Sequence, residues 1–181
     1  MLKMIYLGIL FVLTLLVVAF AGMIREKQDR VSKSIFTLFV AVVAAVVANG
    51  IFIMTDEKMI ATAFHSIFLA CIDWLLLFML RYVYFYTDNE KKQAKWMLPC
   101  YVVATLETGS MLLNPWLHHI FILKEAFSKS YGSYLYPTGY SGIFYVHLAY
   151  CYGLVAWIVL LLLVKIRQTA RLYRKKYTSI L

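Results

Sequence analysis

Along this chain, long apolar runs alternate with short polar clusters. A helix crossing a bilayer needs about 20 mostly apolar residues. Five runs meet that requirement, at residues 4–21, 35–54, 59–86, 96–113 and 143–166. The first has only Lys3 ahead of it and a long uncharged stretch, which reads as a retained span rather than a cleaved leader. The third is long enough to tilt or to project beyond the lipid. The pattern predicts an all-α, polytopic membrane helix bundle with five transmembrane helices. No internal repeat or low-complexity segment interrupts it.

Composition agrees. Hydrophobic types make up 63% of the 181 residues, charged types 15%, and the mean hydropathy is +0.76. Soluble domains are about 45–50% apolar and about 25% charged, so one small core could not hide this excess. Charge then sets an expected orientation. Arg25, Lys27, Arg30, Lys33, Lys91, Lys92, Lys95, Lys165, Arg167, Arg171, Arg174, Lys175 and Lys176 account for 13 of the 18 basic residues and fall on one side of the alternating topology. Lys3, Lys58, Lys124 and Lys129 fall on the other. Basic loops stay in the cytoplasm, which puts the N-terminus outside, the C-terminus inside, and residues 167–181 in a basic cytoplasmic tail that can touch anionic lipid headgroups. The net charge of +9 is thus a topology signal, and no nucleic-acid partner is expected.

One connection is long. Residues 114–142 carry Trp116, Phe121, Phe127, Tyr131, Tyr134, Tyr136 and Tyr140 on the expected outer side. Loops beyond about 12–15 residues usually have a purpose. Two forms are open: a hairpin turning around residues 130–133, or an interfacial helix over 116–127. Either would place a lid or ligand-contacting element over the bundle's outer mouth, while interfacial packing of the rings is the plainer account.

Ionisable side chains at bilayer depth cost several kcal/mol unless they face the bundle interior. Asp73 lies near the middle of the third run; Asn49, His65, Glu107 and His147 lie in the outer halves of theirs. That distribution predicts a polar cavity opening outward. Asp73 could fix packing with a hydroxyl or Arg81, join a signal-linked network, or move a proton. Arg81 can snorkel to the inner surface. Glu107 precedes Thr108, Gly109 and Ser110, small residues that permit close helix approach. His118, His119 and His147 are candidate metal ligands, but adjacent histidines diverge on a helix or strand, so neither metal nor cofactor is expected. Cys71, Cys100 and Cys151 form no C-x-x-C pair. His65 and Cys71 point to different faces, which makes them a poor dyad, although His147 could reach a cysteine from another span. With no Gly-rich phosphate loop or zinc-protease motif, the chain is expected not to be an enzyme.

The stretch LLNPWLHHIFI at 112–122, followed by GIFYVHLAYCYGLVAWIVLLLLVKI at 142–166 and RLYRKK at 171–176, resembles the N-terminal seven-helix sensor region of bacterial histidine kinases and diguanylate cyclases. The matching positions are Asn114, Pro115, His118, Gly142, Phe144, His147, Tyr150 and Tyr152. The third run, DWLLLFMLRYVYFYT, is also similar to that family's third helix. The resemblance implies a single sensor domain in a bacterial cell membrane, working as a dimer and relaying to a kinase or cyclase module. It also implies two further helices, so the chain is expected to be the first five of seven. With the polar clustering, it points to a small-molecule, peptide or lipid-derived ligand held by Asp73, Glu107, Asn114, His118 and His147, with Trp116 and Tyr150 as aromatic walls. The rival class is a small transporter or transport accessory using Asp73 as its proton or substrate site.

Overall fold

The computed structural model describes residues 2–27, 29–87, 90–130 and 132–178. Five helices carry the chain back and forth: α1 (Leu2–Arg25), α2 (Arg30–Met54), α3 (Lys58–Tyr86), α4 (Glu90–Leu117) and α5 (Gly142–Thr178). Between the last two stand β1 (Ile122–Ser128) and β2 (Gly132–Thr138). All five helices are long and apolar enough to cross a membrane, so the expected architecture holds, with one addition. Of the two forms open for the long connection, the chain takes the hairpin.

The helices extend past the apolar runs that announce them. α4 continues through Leu117 rather than ending at 113, and α5 runs to Thr178, so the described part of the expected basic tail is helical. At 37 residues α5 is roughly 55 Å long, against a hydrocarbon core of about 30 Å. A substantial part of it therefore projects beyond the lipid at the basic end of the bundle.

α3 is the central helix, packed against α2, α4, α5 and β1. Its buried stripe includes Thr62, Ser66, Ala70, Asp73, Leu77, Leu80 and Tyr84, each three or four residues after the last, the repeat that keeps one face of a helix inward. α2 meets α3 with the small residues Ala41, Ala45 and Ala48 buried, which lets the backbones approach closely. α1 lies on α2, and its apolar window has no residue buried inside the chain. Leu77, Leu80, Val83, Tyr84, Met97, Ala104, Leu154 and Ile158 make one core cluster toward the basic end. Ala61, Ala70, Met111, Ile120, Phe121 and Leu123 make a second at the hairpin end.

The turn from α4 into the hairpin is built by side chains. Asn114 is fully buried; its Oδ1 accepts from the Ile120 N–H at 2.8 Å, and its Nδ2 donates to the Phe121 carbonyl at 3.2 Å. His118 ends α4 with φ 49°, its N–H donating to the Asn114 carbonyl, the left-handed terminus usually taken by glycine. The strands pair antiparallel from Ile122↔Thr138 to Ser128↔Gly132. Gly132, at φ 82°, accepts the reversal, and the Ser141 N–H donates to the Ile120 carbonyl to close the base.

Candidate functional site

α3, α4 and α5 each contribute an ionisable side chain to one point between the two core clusters. His147 Nδ1 lies 3.2 Å from Asp73 Oδ1 and 3.3 Å from Glu107 Oε2. Cys151, one helical turn after His147, donates from Sγ to Asp73 Oδ1 at 3.2 Å. The group is enclosed: Asp73 is 0% exposed, His147 3%, and the Glu107 side chain 11%. An ionised carboxylate only accepts hydrogen bonds, so where Asp73 and Glu107 are both ionised the two contacts of Nδ1 share a hydrogen on that nitrogen. Two buried oxygens, Asp73 Oδ2 and Glu107 Oε1, have no partner among the described residues. Leaving such groups unpaired costs about 1–3 kcal/mol each, more where they are charged.

Neighbouring polar contacts brace this cluster. Trp74 Nε1–H donates to Thr108 Oγ1 at 3.0 Å, joining α3 to α4 beside Asp73 and Glu107. The Tyr150 hydroxyl donates to the Cys100 carbonyl at 2.9 Å, joining α5 to α4. Ser110 Oγ and His119 Nε2 are 2.8 Å apart, tying α4 to the segment that follows it.

The seven expected ligand-binding side chains fall in different places. Asp73, Glu107 and His147 converge, but they are sealed within the bundle rather than facing an outward pocket. Asn114 is consumed by the turn into β1, and its two backbone contacts leave its amide little freedom to meet a ligand. Trp116 is 66% exposed and faces away from the bundle as α4 ends, so it walls no cavity here. His118 is exposed and serves the helix terminus instead. Tyr150 reaches Cys100 rather than the triad. Of the seven, His118 alone lines one of the two open clefts described near the hairpin end. One, of about 360 Å³, lies among Lys3, Phe52, Thr55, Ser128, Tyr134 and Leu135; another, of about 390 Å³, lies among Lys58, Thr62, Pro115, His118 and Leu123.

The other polar positions resolve separately. His65 sits among Phe52, Phe68 and Phe121, with ring centroids at 4.8, 6.1 and 4.9 Å. Asn49 Nδ2 donates to the Tyr6 hydroxyl at 3.3 Å, linking α2 to α1. Arg81 lies over the Phe85 ring at 5.7 Å rather than on Asp73. Cys151 is the site residue that sequence reasoning passed over. The i, i+4 spacing from His147 puts both on one helix face, a signal available on α5 itself, whereas His65 and Cys71, six residues apart, point to different faces.

This geometry, five lipid-length helices locked by a buried polar cluster, defines a multi-pass membrane protein. The family described as the N-terminal 7TM region of histidine kinase matches residues 6–181, and the chain belongs to it. The matched region is the sensor part of such kinases, not their catalytic part. No curated protein and no solved structure matches the chain.

Proposed function

We propose that this chain is the sensing domain of a histidine kinase in a bacterial cell membrane, and that the Asp73–Glu107–His147 cluster couples ligand binding at the hairpin end to movement of α5. The hairpin would face outward and the basic end inward, following the distribution of Lys and Arg. The observation that carries the reading is the cluster's position. It ties three helices between the two apolar core clusters, and one of the three is the helix that projects from the basic end.

Polar contacts suit such a role. Lipid tails are as apolar as leucine, so burial gives little drive to hold helices in register, and interhelical hydrogen bonds contribute to that register. A ligand that contacts two helix arrangements unequally shifts their balance; one that contacts them equally shifts nothing. The ligand would be a small molecule, peptide or lipid fragment that engages the hairpin and the clefts beneath it, with the triad transmitting rather than touching it. α5 then delivers the change to the kinase module.

The test is autophosphorylation of the full-length kinase in vesicles, with fractionated culture medium applied to the hairpin side. A stimulating fraction should lose its effect in Glu107→Gln and His147→Gln, while hairpin-tip variants such as Phe127→Ala should raise the concentration needed. Folded triad variants that respond like the parent protein would overturn the coupling. Uptake of a solute that depends on Asp73 would favour a transporter instead. Impermeant thiol labelling of Ser130→Cys from outside, with Glu26→Cys protected, checks the orientation.

A further inference from the structure

We infer that Asp73, Glu107, His147 and Cys151 form a binding site for a divalent transition-metal ion of the zinc type. The inference goes beyond the sensing reading and does not require it, since an ion that merely fastens α3, α4 and α5 together would use the same donors.

The donor set comes first. A thiolate, an imidazole and carboxylates are the ligands zinc takes from proteins, four at a time and tetrahedrally. Asp73, His147 and Cys151 each offer a ligand atom within 4.8 Å of the other two. Glu107 lies outside that mutually close set, but its Oε2 is 3.3 Å from the same imidazole nitrogen, so a turn of its side chain would supply the fourth donor.

The spacing is the second observation. With zinc about 2.0–2.2 Å from N and O donors and about 2.3 Å from sulfur, tetrahedral geometry sets neighbouring donors about 3.3–3.6 Å apart. The separations here are 3.2 Å for Nδ1 to Asp73 Oδ1, 3.3 Å for Nδ1 to Glu107 Oε2, 3.2 Å for Sγ to Asp73 Oδ1, and 3.9 Å for Sγ to Nδ1. The three separations among Asp73, His147 and Cys151 are already close to the edges of one face of a coordination tetrahedron, and Glu107 would complete it by a side-chain movement.

The third observation is the unsatisfied oxygens. Asp73 is completely buried, yet its Oδ2 has no partner among the described residues, and the same holds for Glu107 Oε1. Two carboxyl groups facing one imidazole and one thiol leave more acceptor atoms than hydrogens to satisfy them. A divalent ion removes the mismatch. With His147 starting as the imidazolium, it replaces the hydrogen on Nδ1 and the one on Sγ, leaving a neutral imidazole and a thiolate; two protons leave for two positive charges gained, and the ion binds the carboxylates directly. Two donors one turn apart on α5, with one each from α3 and α4, would make the ion a three-helix staple.

The experiment uses the full chain in nanodiscs with ZnCl2 as the probe. Zinc content after dialysis should be about one equivalent per chain, and fall at least tenfold in Cys151→Ser and His147→Gln, with Lys33→Ala unchanged. Because the variants could fail to fold, the decisive readout is made on the unmodified chain. Loading with Co2+ in place of zinc should give the visible bands of a tetrahedral ion together with thiolate-to-cobalt charge transfer. Folded, unmodified chain that retains no zinc and shows no charge-transfer band would overturn the site, as would zinc retained undiminished in folded Cys151→Ser, which would place the ion elsewhere, for example at His118 and His119. These outcomes leave the sensing reading untouched, since that stands or falls on autophosphorylation.

Discussion

The two halves of the bundle are built on the same helices by different means. Toward the basic end, Leu77, Leu80, Val83 and Tyr84 of α3 interlock with Met97 and Ala104 of α4 and Leu154 and Ile158 of α5, and Trp96 meets Trp157 at 5.4 Å. Toward the hairpin end, α3 presents Ala61, Thr62, Ser66 and Ala70, residues too small to fill the space, and Ile120, Phe121 and Leu123 from the hairpin root enter it instead. One half is a closed apolar pack; the other is completed by a segment from outside the helices. The polar cluster lies at the boundary. The comparison teaches that rearrangement is cheapest where a plug and hydrogen bonds, rather than interdigitated side chains, hold the helices.

The largest effect is expected in the apolar half. Leu77→Ala should cost about 2–4 kcal/mol through the cavity it leaves, read as a lowered midpoint in detergent-induced unfolding. An equal cost from a hairpin-end truncation such as Met111→Ala would erase the distinction between the halves. Next comes Asn114→Ala, which strands the Ile120 N–H and Phe121 carbonyl and should cost about 1–3 kcal/mol. Its signature is faster proteolytic cleavage in 118–141 while the apolar half keeps its protection from hydrogen exchange.

Trp74→Phe removes the bond to Thr108 and should cost about 0.6 kcal/mol, the average for interhelical hydrogen bonds in membranes. A double-mutant cycle with Thr108→Val measures it. The smallest effect concerns Asp29, which caps α2 by accepting from the Ser32 N–H at 2.9 Å. Bonds from the Ser32 side chain and backbone hold its carboxyl below the ordinary 3.8. The cap is therefore fully present above that value and is lost as pH falls through the lower folded one. Amide exchange at Ser32 should quicken relative to the α2 interior only under such acid; no change would show that the cap contributes nothing measurable.

Much of the architecture is legible in the residues. The five spans follow from hydropathy, and the hairpin was one of two forms open for 114–142, with its turn expected at 130–133 and observed beside Gly132. Asp73, Glu107 and His147 could be singled out because ionisable groups in apolar runs seek the interior. Asn114 and His118 are the harder positions to read. Both stand next to Pro115 at a helix end, where polar side chains and a left-handed backbone satisfy the chain itself, and sequence does not separate that use from ligand binding.

What the sequence determined by itself is what adds up residue by residue: transfer of apolar side chains into lipid, which marks each crossing, and the side to which the basic residues fall. Tertiary structure decided which polar groups meet. Periodicity fixes the face a residue shares with its neighbours, as with His147 and Cys151, but not how far each helix is rotated or slid against the next. Those offsets come from packing, from the alanines of α2 against α3 and from Phe121 seated at the hairpin root, and they bring Asp73, Glu107 and α5 to a single point.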